Sequence, residues 1–259
     1  MELYLQMIMR YVLLIAMSVS LTACAIGAPD PNEISAAEKA KKHTDVAISY
    51  YQQGDNVGAR LWLQKALEYD KSYGRAYVVL GSIFQSEQET QLAQKYFKKA
   101  IKTDPDSAMF HNNYGAFLYS QQQYEQACVE LEMATKDPFY NRRAAALENL
   151  GRCYQQLEDA VQADKAFQRS VNLGGKSAFA LINLSKNLLA AGETFKSNAK
   201  YSEFLQLVTE NQAHHTADSL VLGIDLARKN GNTSEVVTYL LLLENLFPNN
   251  YKEYKESVQ

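Results

Sequence analysis

From Ala40 to Pro248 apolar side chains return at every third or fourth position. Ala93, Phe97 and Ala100 form one such series, and Ala127, Leu131 and Ala134 another. That spacing puts them on one stripe of an α-helix. Short breaks interrupt the pattern. Some are polar, as in Ser86-Glu87-Gln88, Gln121-Gln122-Gln123 and Leu157-Glu158-Asp159; others carry Gly54, Gly192 or Gly231. The five prolines are Pro29, Pro31, Pro105, Pro138 and Pro248, so none falls within 139–247. Proline removes a helical hydrogen bond, and its confinement to punctuation points predicts an all-α chain of short paired helices.

The pairs repeat. Gly81, Gly115 and Gly151 are spaced by 34 and 36 residues, and Ala93, Ala127 and Ala163 follow them in step, then Phe97, Leu131 and Phe167. Glycine inside a helix costs ~1 kcal/mol against alanine, so its recurrence at one phase signals a packing need. Gly81 and Ala93 let two antiparallel helices approach, while Phe84 and Phe97 fill the space beside them. This arrangement resembles the tetratricopeptide signature. The resemblance implies a right-handed superhelix of about six helix-turn-helix units over 40–250. The units are 40–73, 74–107, 108–141, 144–177, 178–211 and 216–249, with Arg142 and Arg143 lengthening one connection. Repeat five is degenerate, with Ser185 and Ser197 at the Gly and Ala positions; in repeat six Glu235 takes the Ala position. The polar tail 251–259 finishes the solenoid. Stacked units share one core and leave a concave groove.

The amino-terminal end has a different pattern. Residues 11–21 (YVLLIAMSVSL) are mostly apolar, follow Arg10, and lead into Leu21-Thr22-Ala23-Cys24. The run is shorter than the ~20 residues a spanning helix needs. A positive, apolar, small order is that of a signal peptide. Glu2 is foreign to it, and a start at Met7 or Met9 places Arg10 nearer the beginning. The Leu-Thr-Ala-Cys ending resembles a bacterial lipobox. That implies removal of 1–23, acylation of Cys24, and a tether over 24–39. Ala25, not Asp, follows the cysteine, which points to the outer membrane, with the chain on its periplasmic face.

Composition narrows the function. There are 26 Lys+Arg against 29 Asp+Glu, a net charge of -3. Such a chain lacks the basic face that nucleic acid needs. No phosphate loop, dinucleotide fingerprint or nucleophile elbow occurs, so no catalytic residue, cofactor or metal is expected and the chain reads as a non-enzyme. His43 and His111 share a repeat position and read as packing residues; His214-His215 lacks ligand-spaced partners. Cys128 and Cys153 fall on neighbouring helices. A periplasmic bridge is open to them, but two buried thiols are the expectation.

The groove then carries the function. The repeat register turns helix-A positions two, five, nine and twelve inward. These are Arg75, Val78, Ser82 and Gln85 in repeat two, Met109, Asn112, Ala116 and Tyr119 in repeat three, and Glu148, Arg152 and Gln155 in repeat four. Amides, aromatics and small apolar groups suit a protein segment. The string His111-Asn112-Asn113-Tyr114-Gly115-Ala116-Phe117-Leu118-Tyr119 resembles the type IV pilus biogenesis and stability lipoproteins, the pilotins of the pilus secretin. Glu148-Asn149-Leu150-Gly151, Leu222-Gly223-Ile224 and Leu226-Ala227 extend the likeness. The resemblance implies a monomeric, lipid-anchored adaptor that helps secretin subunits reach the outer membrane and multimerise. The alternative is an adaptor of another envelope assembly machine.

Overall fold

The computed structural model describes residues 34–258. The signal-peptide and Cys24 readings lie outside them. Among the described residues there are thirteen helices. They are α1 (Ala36–Gln52), α2 (Asn56–Tyr69), α3 (Gly74–Ser86), α4 (Thr90–Thr103), α5 (Ala108–Ser120), α6 (Tyr124–Ala134), α7 (Arg143–Gln156), α8 (Ala160–Asn172), α9 (Ala178–Ala190), α10 (Thr194–Thr209), α11 (Ala217–Lys229), α12 (Thr233–Leu246) and α13 (Pro248–Ser257). Odd-numbered helices from α1 to α11 are the first, or A, members of six antiparallel pairs. The even ones are the B members, and the pairs stack into a superhelical tetratricopeptide fold.

Each pair is closed by the same turn. A residue in the left-handed region follows helix A at Gly54, Gln88, Gln122, Glu158, Gly192 and Gly231, with φ between 58° and 82°. The next N–H reaches back five residues to a helix-A carbonyl: Glu89 to Phe84 at 2.9 Å, Gln123 to Leu118 at 3.0 Å, Glu193 to Leu188 at 2.8 Å. This closes the helix end without a buried orphan carbonyl. The following helix is often capped at once. Asp55 accepts from the Gly58 N–H at 2.7 Å, Asp159 from Gln162 at 3.0 Å and Asn232 from Glu235 at 3.2 Å. The polar breaks in the pattern are therefore three-residue devices that reverse the chain.

Inside the pairs the glycines sit where a side chain has no room. A Cβ built on Gly115 would lie 2.7 Å from Leu131 Cγ, on Gly81 2.9 Å from the Phe97 ring, and on Gly151 2.4 Å from Phe167. Repeat five meets the same restriction differently. The Ser185 hydroxyl donates to the Ser197 carbonyl at 2.9 Å and the Ser197 hydroxyl to the Ser185 carbonyl at 2.7 Å, both side chains fully buried. Two small polar groups satisfy one another across the contact, so the degeneracy is only at the level of sequence. Between pairs, Phe97, Tyr114, Phe117, Leu118, Leu131 and Leu150 join one continuous core. The tail forms α13, led by Pro248, and buries Tyr254 against repeat six.

One expectation needs correction. Cys128 of α6 and Cys153 of α7 are joined as a disulfide, with Cα atoms 5.7 Å apart and both residues buried. Each cysteine lies beside a close-approach position, next to Ala127 and two residues past Gly151. There α6 packs tightly on the following helix A and brings the two Cβ atoms face to face. The bridge ties repeat three to repeat four across their long connection.

Two outcomes follow for the fold. Gly115→Leu should destabilise by about 2 kcal/mol or more through overpacking against Leu131, lowering the thermal midpoint by several degrees. Reduction of the disulfide should cost ~2–4 kcal/mol, read as a lower denaturation midpoint in dithiothreitol that Cys128→Ser with Cys153→Ser reproduces and reductant no longer changes.

Candidate protein-binding site

The A helices line the concave face, and the structure divides the sequence-expected residues into three groups. Val78 and Asn112 do not line it. They are only 6% and 7% exposed. Asn112 instead accepts from the Asn149 amide at 3.3 Å. Others are partly exposed but tie neighbouring helices together. Arg75 pairs with Asp45 at 3.1 Å, the Ser82 carbonyl accepts from the Tyr51 hydroxyl at 3.2 Å, and Gln85 donates to Ser120 at 3.2 Å. Met109 and Tyr119 pack on the core, Tyr119 edge-on to Tyr124 at 5.4 Å. Ala116 is exposed. Glu148 and Arg152 border a real hollow, and Gln155 stands behind it, bonded to the lining residue Asn183.

That hollow is a trench of about 670 Å³ across α7, α9 and the start of α11. Phe179 and Ile182 form its floor, with Glu148, Arg152 and Asn183 on one side and Lys186, His214 and Asp218 around the mouth. A second hollow of about 300 Å³ continues it, sharing Lys186 and Asp218 and adding Leu189, Val221 and Asp225. The joints at 173–177 and 210–216 are longer than those at 70–73 and 104–107, and the trench opens between the helices they introduce. The volume suits several side chains of a bound peptide.

Its polar groups are fixed in advance. Arg152 donates from Nε and from a terminal nitrogen to the same Glu148 oxygen, at 3.0 and 2.7 Å, and its guanidinium lies 3.5 Å from the Phe179 ring centre. Gln155 donates to Asn183 at 2.7 Å, and Asn183 donates to the Phe179 carbonyl at 2.8 Å. Lys186 is exposed and has no acidic partner within ion-pair distance among the described residues. Burial raises the Asp225 carboxyl above its usual value. An apolar floor, held amides and mixed charges at the rim can grip an amphipathic segment, but present no nucleophile–base pair. Among the described residues no group of three His, Cys, Asp or Glu is placed to hold a metal ion.

Phe179, Ile182, Lys186 and Leu189 occupy inward positions two, five, nine and twelve of repeat five. The register that marked repeats two to four already contained them. The serines at the repeat's signature positions hid the signal.

His111 is buried at the head of α5. Nδ1 faces a Glu130 oxygen at 2.6 Å and Nε2 the Pro105 carbonyl at 2.7 Å. Both partners are acceptors, so the ring satisfies both only as an imidazolium. The Glu130 hydrogen bond holds its pKa above the ordinary 6.5; burial opposes this, while the Pro105 carbonyl and the charges of Glu130 and Asp106 reinforce it. His43 makes a different set of contacts, with Trp62 and Tyr69 rings centred 5.3 and 5.1 Å away.

Stacked helix pairs with a concave trench define a tetratricopeptide protein-interaction scaffold. Tetratricopeptide-repeat models match residues 74–107 and 96–129. The type IV pilus assembly protein PilF of Pseudomonas aeruginosa is 32% identical over 254 residues, 96% of this chain and 98% of that protein. The chain belongs to the PilF family of type IV pilus assembly proteins. The solved structure of Pseudomonas aeruginosa PilF superposes with a TM-score of 0.79 at 31% identity, covering 86% of this chain and 99% of that one. That of PilW, a type IV pilus biogenesis factor, gives 0.66 at 25%, covering 83% and 97%.

The His111 arrangement has a pH signature. Its pKa is higher in the folded than in the unfolded chain, so its stabilisation is complete below 6.5 and is lost as pH rises through the folded value. Denaturant unfolding from pH 6 to pH 9 should show stability declining over that window, and Glu130→Gln should flatten the decline.

Proposed function

We propose that this chain is a lipid-anchored adaptor of the outer membrane that serves type IV pilus biogenesis. It binds a secretin subunit through its concave face and helps that subunit reach the membrane and multimerise. The observation that carries the reading is the match to PilF along nearly the whole of both chains, on a fold whose trench suits a peptide segment. The sequence Leu21-Thr22-Ala23-Cys24 supports the anchor. An acylated adaptor raises the local concentration of its client at the membrane, where assembly then becomes a near-neighbour event. Three acyl chains on Cys24 exceed the two signals that stable anchoring needs.

In the trench, the client places apolar side chains on Phe179 and Ile182. Arg152 is braced by Glu148 and stacked on Phe179, so it is held without needing to be ordered on binding. Lys186 and Asp218 offer opposite charges at the rim and set the register of the segment.

The test uses Arg152→Ala with Lys186→Ala. The thermal midpoint should change by only a few degrees. Affinity for secretin, measured on purified proteins, should fall tenfold or more, and heat-stable secretin multimers should be lost from cells. Normal multimers with an intact fold would remove the trench from the binding surface. Crosslinking that captures a different envelope assembly protein and no secretin would favour the other adaptor role. Separately, palmitate labelling should mark Cys24 and vanish in Cys24→Ala.

A further inference from the structure

The connection between α6 and α7, residues 135–142, carries the two added residues of the repeat pattern, and the adaptor reading makes no use of it. It is an ordered loop. The Phe139 N–H donates to Asp137 Oδ1 at 2.8 Å, and the Arg143 N–H to the Tyr140 carbonyl at 3.0 Å. Arg143 Nε reaches back to the Thr135 carbonyl at 2.8 Å. These bonds occupy Asp137 and Arg143 and leave Phe139 at the tip. Phe139 is 92% exposed, more than any other large apolar side chain among the described residues. Lys136 and Arg142 are exposed beside it, and neither has an acidic partner within ion-pair distance among the described residues. A phenyl ring fixed outward between two cations matches a phospholipid surface, with its apolar boundary and its phosphates.

Topology says where the loop faces. A helices run one way and B helices the other, so all A starts and B ends share one edge. The contacts agree. A Cβ on Gly74, at the start of α3, would collide with Thr103 at the end of α4 and Phe110 at the start of α5. Ser170, near the end of α8, donates to the Ala144 carbonyl at the start of α7 at 2.7 Å. Lys176 pairs with Glu210 across two joints at 3.7 Å. The loop 135–142 lies on this edge, as does Leu173, 52% exposed. So does the start of α1, where Ser35 caps the helix by accepting from the Glu38 N–H at 3.1 Å. The chain from Cys24 therefore joins the solenoid on the edge that carries Phe139. From Cys24 to Ser35 it spans at most ~40 Å.

We propose that the α6–α7 connection is a second membrane contact: Phe139 enters the headgroup boundary of the leaflet that holds Cys24, with Lys136 and Arg142 against lipid phosphates. The inference rests on the lipid-anchor part of the function given above. One anchored residue leaves a body free to turn about its attachment. A second contact two to three repeats away fixes which edge faces the lipid and holds the trench at a constant height above it.

The test places a tryptophan at the contact. Trp62 is the single native tryptophan, so Trp62→Phe gives a silent background. Phe139→Trp reports the proposed contact. Phe195→Trp reports the opposite edge, since Phe195 is 88% exposed in the first turn of α10. The full acylated proteins are reconstituted in vesicles of phosphatidylethanolamine and phosphatidylglycerol, with and without bromine on the upper acyl carbons. Emission from position 139 should fall at least twofold with bromine, and emission from position 195 should not change. No quenching at 139, or equal quenching at both positions, overturns the proposal. Mass measurement of the amino-terminal peptide separates the two levels. An acylated Cys24 with an unquenched Trp at 139 overturns the second contact alone, whereas a Cys24 without lipid overturns the anchor reading and this contact together.

Discussion

The close approach of helix A to helix B is the contact on which the rest of the molecule depends. It requires a small residue at one point of each helix A. Gly81, Gly115, Gly151 and Gly223 supply it in four pairs, and each is covered by a large side chain sixteen residues on: Phe97, Leu131, Phe167 and Tyr239. Repeat five shows that the requirement is smallness with satisfied polarity rather than glycine itself. Ser185 and Ser197 exchange hydroxyl–carbonyl bonds in a fully buried contact. Once a pair is closed at this spacing, its ridge of large residues presents an apolar face that the next pair covers. The superhelix follows from that repeated act of covering, and so does the concave face on which any partner must lie.

Much of this was legible in the sequence, because a period of helix pairs writes the same packing need several times. Gly81, Gly115 and Gly151 recur in phase, and the register they set gave an all-helical repeat fold. The turns were legible only in part. Glycine marks three of them, whereas Gln88, Gln122 and Glu158 adopt the same left-handed backbone without any mark in their residue type. The bond from the following N–H to the fifth residue back holds them there, and it belongs to the closed pair rather than to local preference.

Individual side chains were harder to read. Val78 and Asn112 share the inward position with Glu148 and Ile182, yet the first two are buried and the latter two border the trench. Position within a repeat sets the direction of a side chain; the spacing of neighbouring A helices sets whether solvent reaches it. The joints between pairs are where this chain is least periodic. The disulfide escaped for the same reason. Cys128 and Cys153 belong to different repeats, so their meeting is a property of the stack.

The aperiodic parts are thus where a common scaffold acquires its particular behaviour. Six similar pairs alone would give a uniform curved surface with equivalent hollows between A helices. Here the joints before α9 and α11 are lengthened, and the trench floored by Phe179 and Ile182 lies between the helices they introduce. The longest joint, before α7, is the one flanked by the disulfide, which prevents its extra residues from loosening the stack between repeats three and four. A solenoid made of nearest-neighbour contacts would otherwise be weakest at that point. A covalent tie there lets one surface, running through Glu148 and Arg152 into repeats five and six, remain in fixed relation to the edge where the chain enters from its amino-terminal side.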